Sequence, residues 1–197
     1  FGRLDRDTTG LMLLGTDGGV GALLTDPESG VSKEYWVILS GVRPLKEDAA
    51  ALIREGIELR DGSRCLPALL SDGPGPHPAA DLGPSACGWP AYWVDKARGR
   101  PCVSVVLHEG LHHQVKRMLG ACDGSVMELH REAIGPLRLS ELQPPIPEGC
   151  ARPPTEEELR VVLSLLPQAR DAKARSPQVH ARMQAKREKA RTRTCPN

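Results

Sequence analysis

The chain has 197 residues, with 26 Lys/Arg against 25 Asp/Glu and a hydrophobic fraction of 40%. That is enough for one domain with extensions and a real core. No apolar run reaches the roughly 18 residues of a membrane span, and aromatics at 3% exclude repeated base stacking as the main hold on single-stranded nucleic acid. Cys65, Cys87, Cys102, Cys122, Cys150 and Cys195 show no Cys-x-x-Cys spacing and no secretory signal precedes them. They read as reduced thiols of an intracellular protein.

In chain order, the polar run Gly2–Gly10 places Asp5 just before the apolar stretch Leu11–Leu14, read as a buried strand. Further strands are expected at Tyr35–Leu39, Leu66–Leu70, Val103–Leu107 and Val126–Leu129, and helices at Val20–Leu24, Leu45–Arg54, His112–Ala121 and Glu156–Leu166. Thr155 before the last helix, with Glu158 three residues on, is a capping box. This mixed ordering indicates an α+β fold.

Two segments carry chemistry. A loop aspartate held by a strand is where a nucleophile or general base sits, although on the first segment alone a capped turn with a solvated Asp5 is the commoner reading. The second, Glu109-Gly110-Leu111-His112-His113-Gln114-Val115-Lys116-Arg117-Met118-Leu119, follows the run Cys102–Leu107. Leu111, Val115, Met118 and Leu119 recur at helical spacing and face a core, while Gln114 and Arg117 share another face and Lys116 projects separately. A cation from this helix meets Asp5 if the two loops converge on one end of a sheet. His112 and His113 with Cys122 or His130 fit no usual zinc spacing, so no metal site is expected.

The pair resembles the pseudouridine synthases, specifically the RsuA-like branch that modifies ribosomal RNA. Gly2–Gly10 is similar to the family's nucleophile motif, and Glu109–Met118 to its Glu-Gly-x-x-His-Gln-Val-Lys-Arg-Met motif at every specified position. Lys33-Glu34-Tyr35 resembles the Lys-x-Tyr motif, and Asp61-Gly62 after Gly56-Ile57 and Arg131–Leu137 resemble two further runs. Each motif is weak alone; five in order are specific. The resemblance covers residues 1–64 and 101–160.

The resemblance implies a mostly antiparallel mixed sheet with flanking helices and a central cleft. It implies an RNA pseudouridine synthase, acting on ribosomal RNA without metal or cofactor, with Asp5 as nucleophile, Tyr35 as the active-site aromatic and Lys116 as the basic partner. Arg3, Gln114, Arg117 and Arg131 are expected to bind RNA. Breaking an N-glycosidic bond needs an ionised carboxylate in a dry pocket, and a nearby cation keeps such a charge in place. An Asp5–Lys116 pair would supply it, and Tyr35 offers a flat face for a flipped base.

Residues 1–166 are expected to form the catalytic domain, with an inserted loop over about 71–100, rich in Gly, Pro and Ala, anchored where Trp89, Tyr92 and Trp93 find apolar cover. Residues 167–197 form a basic tail, with nine Lys/Arg against two acidic residues, +7 on a body of −6. Such a tail is either a phosphate-binding arm or a solvated extension. The chain opens at Phe1 directly on the nucleophile motif, where the resemblance implies preceding sequence; it is expected to be a fragment, from the bacterial cytoplasm, a chloroplast or a mitochondrion. No membrane or obligate protein partner is expected. Two other readings remain open here: a catalytically inactive RNA-binding relative acting in ribosome assembly, and an unrelated hydrolase using Asp5 with His112 and His113.

Overall fold

The computed structural model describes residues 1–72 and 91–175. Six strands form one mixed sheet: β1 (Thr8–Gly10), β2 (Lys33–Leu39), β3 (Leu69–Asp72), β4 (Cys102–Leu107), β5 (Val126–Ile134) and β6 (Leu137–Arg138). The path is β1-β5-β2-β4-β3, with β6 folding back on β5. Only β1 runs parallel to its neighbour, so the sheet is mostly antiparallel. Among the described residues, five α-helices flank it: α1 (Gly18–Thr25), α2 (Ala49–Glu55), α3 (Ala91–Ala97), α4 (Gln114–Ala121) and α5 (Glu156–Arg175). The α+β class expected from the sequence is the class observed.

The largest core forms where β2, β4 and β5 meet α2 and α4. Val37, Leu39, Val103, Val105, Leu107 and Leu129 from the sheet pack against Ile53, Val115, Met118 and Leu119. Burying such side chains stabilises by about 1.5–3 kcal/mol each, which fixes α4 on the sheet. A second core joins Leu11, Leu24, Ile134 and Leu165, bringing α1 and α5 to the β1 side. A third lies behind the sheet, where Trp36 and Ile38 meet Trp93 and Ala97 of α3.

Several boundaries differ from the sequence reading, each for a physical reason. The first strand is Thr8–Gly10 and not Leu11–Leu14, because Gly10 (φ 114°) turns the chain immediately after it. A Cβ there would lie 2.3 Å from the Arg131 carbonyl oxygen, so only glycine permits this approach. Leu11 is buried, but Leu14 is exposed. Strand β5 continues to Ile134, because its second half carries buried polar residues that break the apolar pattern. Helix α4 starts after His113, whose left-handed backbone (φ 50°) ends the preceding loop.

Part of the expected loop over 71–100 is regular structure. Strand β3 reaches Asp72, and α3 carries Trp93 fully buried against Trp36 and Ile38. Hydrophobic burial of that indole outweighs the poor helix signal around it. Residues 73–90, including Trp89 and Cys87, and the Tyr92 side chain lie outside the described residues. Helix α5 extends past the expected end at Leu166 to Arg175; 176–197, with Cys195, also lie outside. The capping box is present: the Thr155 N–H donates to Glu158 at 2.8 Å, and the Glu158 N–H to Thr155 Oγ1 at 3.2 Å. Among the described residues, no helix is long and apolar enough to cross a membrane.

Candidate active site

Asp5 is placed by a turn that the Thr8 N–H closes onto the Asp5 carbonyl at 2.9 Å, just before β1. The turn leads into β1, which pairs with β5 at the edge of the sheet, Thr8 opposite Leu129 and Gly10 opposite Arg131. The Asp5 carboxylate, 27% exposed, stands at the wall of a cavity of about 520 Å³. Arg3, Arg6, Thr8, Lys33, Tyr35, Glu109, His113, Gln114 and Arg131 also line it. That volume lies in the usual range for a site holding one small organic ligand.

The two motif loops do converge. Asp5 Oδ1 lies 3.6 Å from His113 Nε2, and the His113 ring stacks on His112 with centroids 3.8 Å apart. The expected Asp5–Lys116 pair is absent: Lys116 Nζ meets Asp7 Oδ1 at 2.5 Å. The turn after Asp5 sends Asp5 into the cavity and Asp7 outward. Lys116, in the first turn of α4, lies on the outward side and takes the outward carboxylate. That ammonium holds the Asp7 carboxyl below the usual carboxylate range.

Tyr35 and Lys33 are two apart on β2 and therefore on one face, both lining the cavity. Tyr35 sits opposite Arg131 in the β2–β5 ladder. Lys33 has no site role in the sequence reading, although it opens the Lys-x-Tyr motif. It is 8% exposed and its ammonium donates to the Val31 carbonyl at 3.0 Å. Burial, reinforced by the nearby Arg131 charge, pushes its amine down to about 8. A sequence signal was available in the strand period: a lysine two residues from Tyr35 shares its face.

The residues expected to bind RNA divide. Arg3 is exposed at the cavity rim, and among the described residues no ion pair holds it. Arg6, next to Asp5, is placed in the same way and was missed. Gln114 lines the cavity but is buried: its amide N–H donates to Glu109 Oε1 at 2.7 Å and its oxygen accepts from the Leu111 N–H at 2.8 Å. Glu109 Oε1 also accepts the Leu66 N–H at 2.7 Å, so Glu109 and Gln114 brace the loop. Arg117 is held by Asp61 at 2.7 Å, while Ser63 and then Arg117 draw the Asp61 carboxyl down to about 2. Arg131 is 4% exposed and its Nε donates to the Leu11 carbonyl at 2.8 Å, so it is a tether reachable only from inside the cavity. Among the described residues, no cluster of three His, Cys, Asp or Glu side chains is placed to hold a metal.

A family model described as RNA pseudouridylate synthase matches residues 1–121, and the chain belongs to that family. Its relatives include ribosomal small subunit pseudouridine synthase A of Vibrio cholerae, 37% identical over 160 residues, covering 80% of this chain and 56% of the relative. The enzyme of that name from Escherichia coli is 35% identical over 163 residues, 82% of this chain and 58% of the relative. A crystal structure of a pseudouridylate synthase superposes with a TM-score of 0.61 at 33% identity, covering 82% of this chain and 57% of that one. The chain thus spans a little over half the length of the curated relatives it matches. Membership of this family removes the reading as an unrelated hydrolase, even though His113 does stand beside Asp5.

Proposed function

We propose that the protein isomerises a uridine of RNA, of ribosomal RNA as the names of its relatives suggest, to pseudouridine, with Asp5 as the nucleophile. The observation that carries this is the Asp5 carboxylate at the wall of a nucleotide-sized cavity, with Tyr35 in the same wall and cations around it. The Asp5 oxygen attacks either ribose C1′ or uracil C6, and the N1–C1′ bond breaks. The uracil turns so that C5 bonds C1′, the bond between the Asp5 oxygen and C1′ or C6 breaks with its electron pair returning to the carboxylate, the C5 hydrogen leaves as a proton, and N1 gains one. No atom is gained or lost overall, so an isomerase needs no co-substrate.

Each side chain has a task in this scheme. Tyr35 gives the turning base a face to lie on, and its hydroxyl a group for the leaving C5 proton. Lys116 adds a permanent charge to the loop that carries Asp5, through its pair with Asp7. Arg3 and Arg6, at the rim, meet phosphates on either side of the flipped nucleotide. The protein works inside the cell, where its RNA is. RNA carrying 5-tritiated uridine tests the proposal. Tritium release by the wild type and none by Asp5→Ala supports it, whereas tight RNA binding without release would establish the inactive, binding-only relative.

A further inference from the structure

Strand alternation puts two different surfaces on β5. Leu129 and Arg131 face the cavity, while His130 and Glu132 face the back of the sheet, His130 against Trp93 of α3 and Glu132 beside Ser140 and Arg138. His130 and Glu132 are 2% and 0% exposed, deeper than most of the apolar core. His130 Nδ1 is 2.8 Å from Thr9 Oγ1. Its Nε2 lies 3.7 Å from Glu132 Oε2, and Glu132 Oε1 accepts from the Ser140 N–H at 3.2 Å and from its hydroxyl. The carboxylate beside Nε2 favours the Nε2–H tautomer, which leaves Nδ1 to accept from the Thr9 hydroxyl.

Such a chain is a costly way to fill a core. His130 Nε2 and Glu132 Oε2 have no hydrogen-bond partner among the described residues, so the network is incompletely satisfied. A buried ionic or polar group in that state is usually less stable than an apolar replacement of the same volume. What the chain provides is position. Strand β1 is three residues long and lies at a sheet edge, with Thr9 opposite His130. Beyond it the Leu11 N–H donates to the Arg131 carbonyl and the Leu11 carbonyl accepts from Arg131 Nε, both at 2.8 Å, but so short an edge strand, held by its backbone alone, can fray. A side-chain bond from its middle residue into a rigid, fully buried histidine removes that freedom.

We propose that Thr9, His130, Glu132 and Ser140 form a positioning chain, running behind the sheet, that fixes the loop carrying Asp5. This rests on the reading of Asp5 as the nucleophile. The chain touches no substrate: Thr9 and His130 act through β1, on the face opposite the cavity. Misplacing a reacting atom by about 1 Å costs on the order of a hundredfold in rate, so a small loosening of β1 should be visible in turnover.

The test uses Thr9→Val, which keeps shape and removes only the hydroxyl, with Thr9→Ser as the conservative control. Turnover at saturating RNA should fall roughly 10- to 100-fold in Thr9→Val and within about threefold in Thr9→Ser, RNA affinity staying the same in both. His130→Leu should lower it comparably, and Thr9→Val with His130→Leu should be no worse than the poorer single variant. Amide hydrogen exchange across residues 8–11 should quicken in Thr9→Val, a readout that needs no reaction. Unchanged turnover and unchanged exchange in Thr9→Val would overturn the positioning chain, as would simple additivity in the double variant. If the wild type releases no tritium while exchange responds as expected, the fault lies with the proposed function instead.

Discussion

Lys116 and Asp7 pair at 2.5 Å across 109 positions of sequence, and this bond joins the start of α4 to the nucleophile loop without touching the nucleophile. Asp7 is largely exposed, and exposed ion pairs add at most about 1 kcal/mol to stability. The charge on Lys116 therefore matters more than the pair. Lys116→Met is expected to lower turnover about a hundredfold, because it takes a cation from the outer side of the loop that carries Asp5. Asp7→Asn should cost less than about threefold, and melting curves should scarcely move in either. Equal losses from both variants would show that the pair only pins the loop.

Removing the nucleophile should separate chemistry from folding. Asp5→Asn and Asp5→Ala are expected to abolish tritium release while leaving the melting transition and RNA affinity near wild type. Asp5 is partly exposed and fills no core position, so its loss leaves no cavity. Measurable turnover in either variant would transfer the nucleophile's role elsewhere.

Lys33 carries a stability prediction with a definite sign. Its amine is held at about 8 in the folded protein, below its ordinary 10.5, so the folded state resists the proton that the unfolded chain accepts. The charged lysine thus opposes folding in full below about pH 8, and the penalty fades as pH rises from about 8 toward 10.5. Lys33→Met should raise unfolding free energy near neutral pH by up to about 3 kcal/mol, converting the shift at 1.36 kcal/mol per unit. The gain over wild type should shrink to under about 1 kcal/mol by pH 10, while turnover falls because the cavity loses a charge. Urea titrations of both proteins at pH 7 and pH 10 measure it; an equal difference at both would mean that Lys33 is not the group responsible.

The rim arginines should differ from the held one in salt dependence. Arg3→Ala and Arg6→Ala should each lower the slope of log affinity against log salt by roughly 0.7, the value for one single-strand phosphate contact. Arg117→Ala should leave the slope unchanged, because Asp61 already holds that guanidinium. RNA titrations across a salt series decide it, and a flattened slope in Arg117→Ala would restore Arg117 to the RNA interface.

The basic C-terminal segment is testable by truncation after Arg175, which leaves α5 whole and removes six Lys/Arg. If it binds phosphates, affinity and salt slope should both drop while turnover at saturating RNA holds, since phosphate contacts position RNA and do not read bases. An identical slope would leave binding to the rim residues.

The motif runs, the α+β class and the capping box at Thr155 were legible in the sequence, because each depends on residues close together along the chain or on their order. So was the placement of Asp5 in a turn before the first strand, because the bond that closes that turn spans three residues. Which cation meets which carboxylate was not legible. Lys116 and Arg117 are neighbours in sequence, yet helical geometry sends one to Asp7 and the other to Asp61, and a carboxylate two residues nearer or farther reads the same in a string of letters. Gln114 and Arg131 looked like hands for RNA because polar residues on a motif suggest a ligand; the tertiary structure turns both inward, onto Glu109 and the Leu11 carbonyl, since buried backbone and carboxylate groups must find partners. The histidine and glutamate behind the sheet were hidden for the same reason. Alternation along β5 shows that His130 and Glu132 share a face, but only the packing of Trp93 from α3, far along the chain, decides that this face is dry.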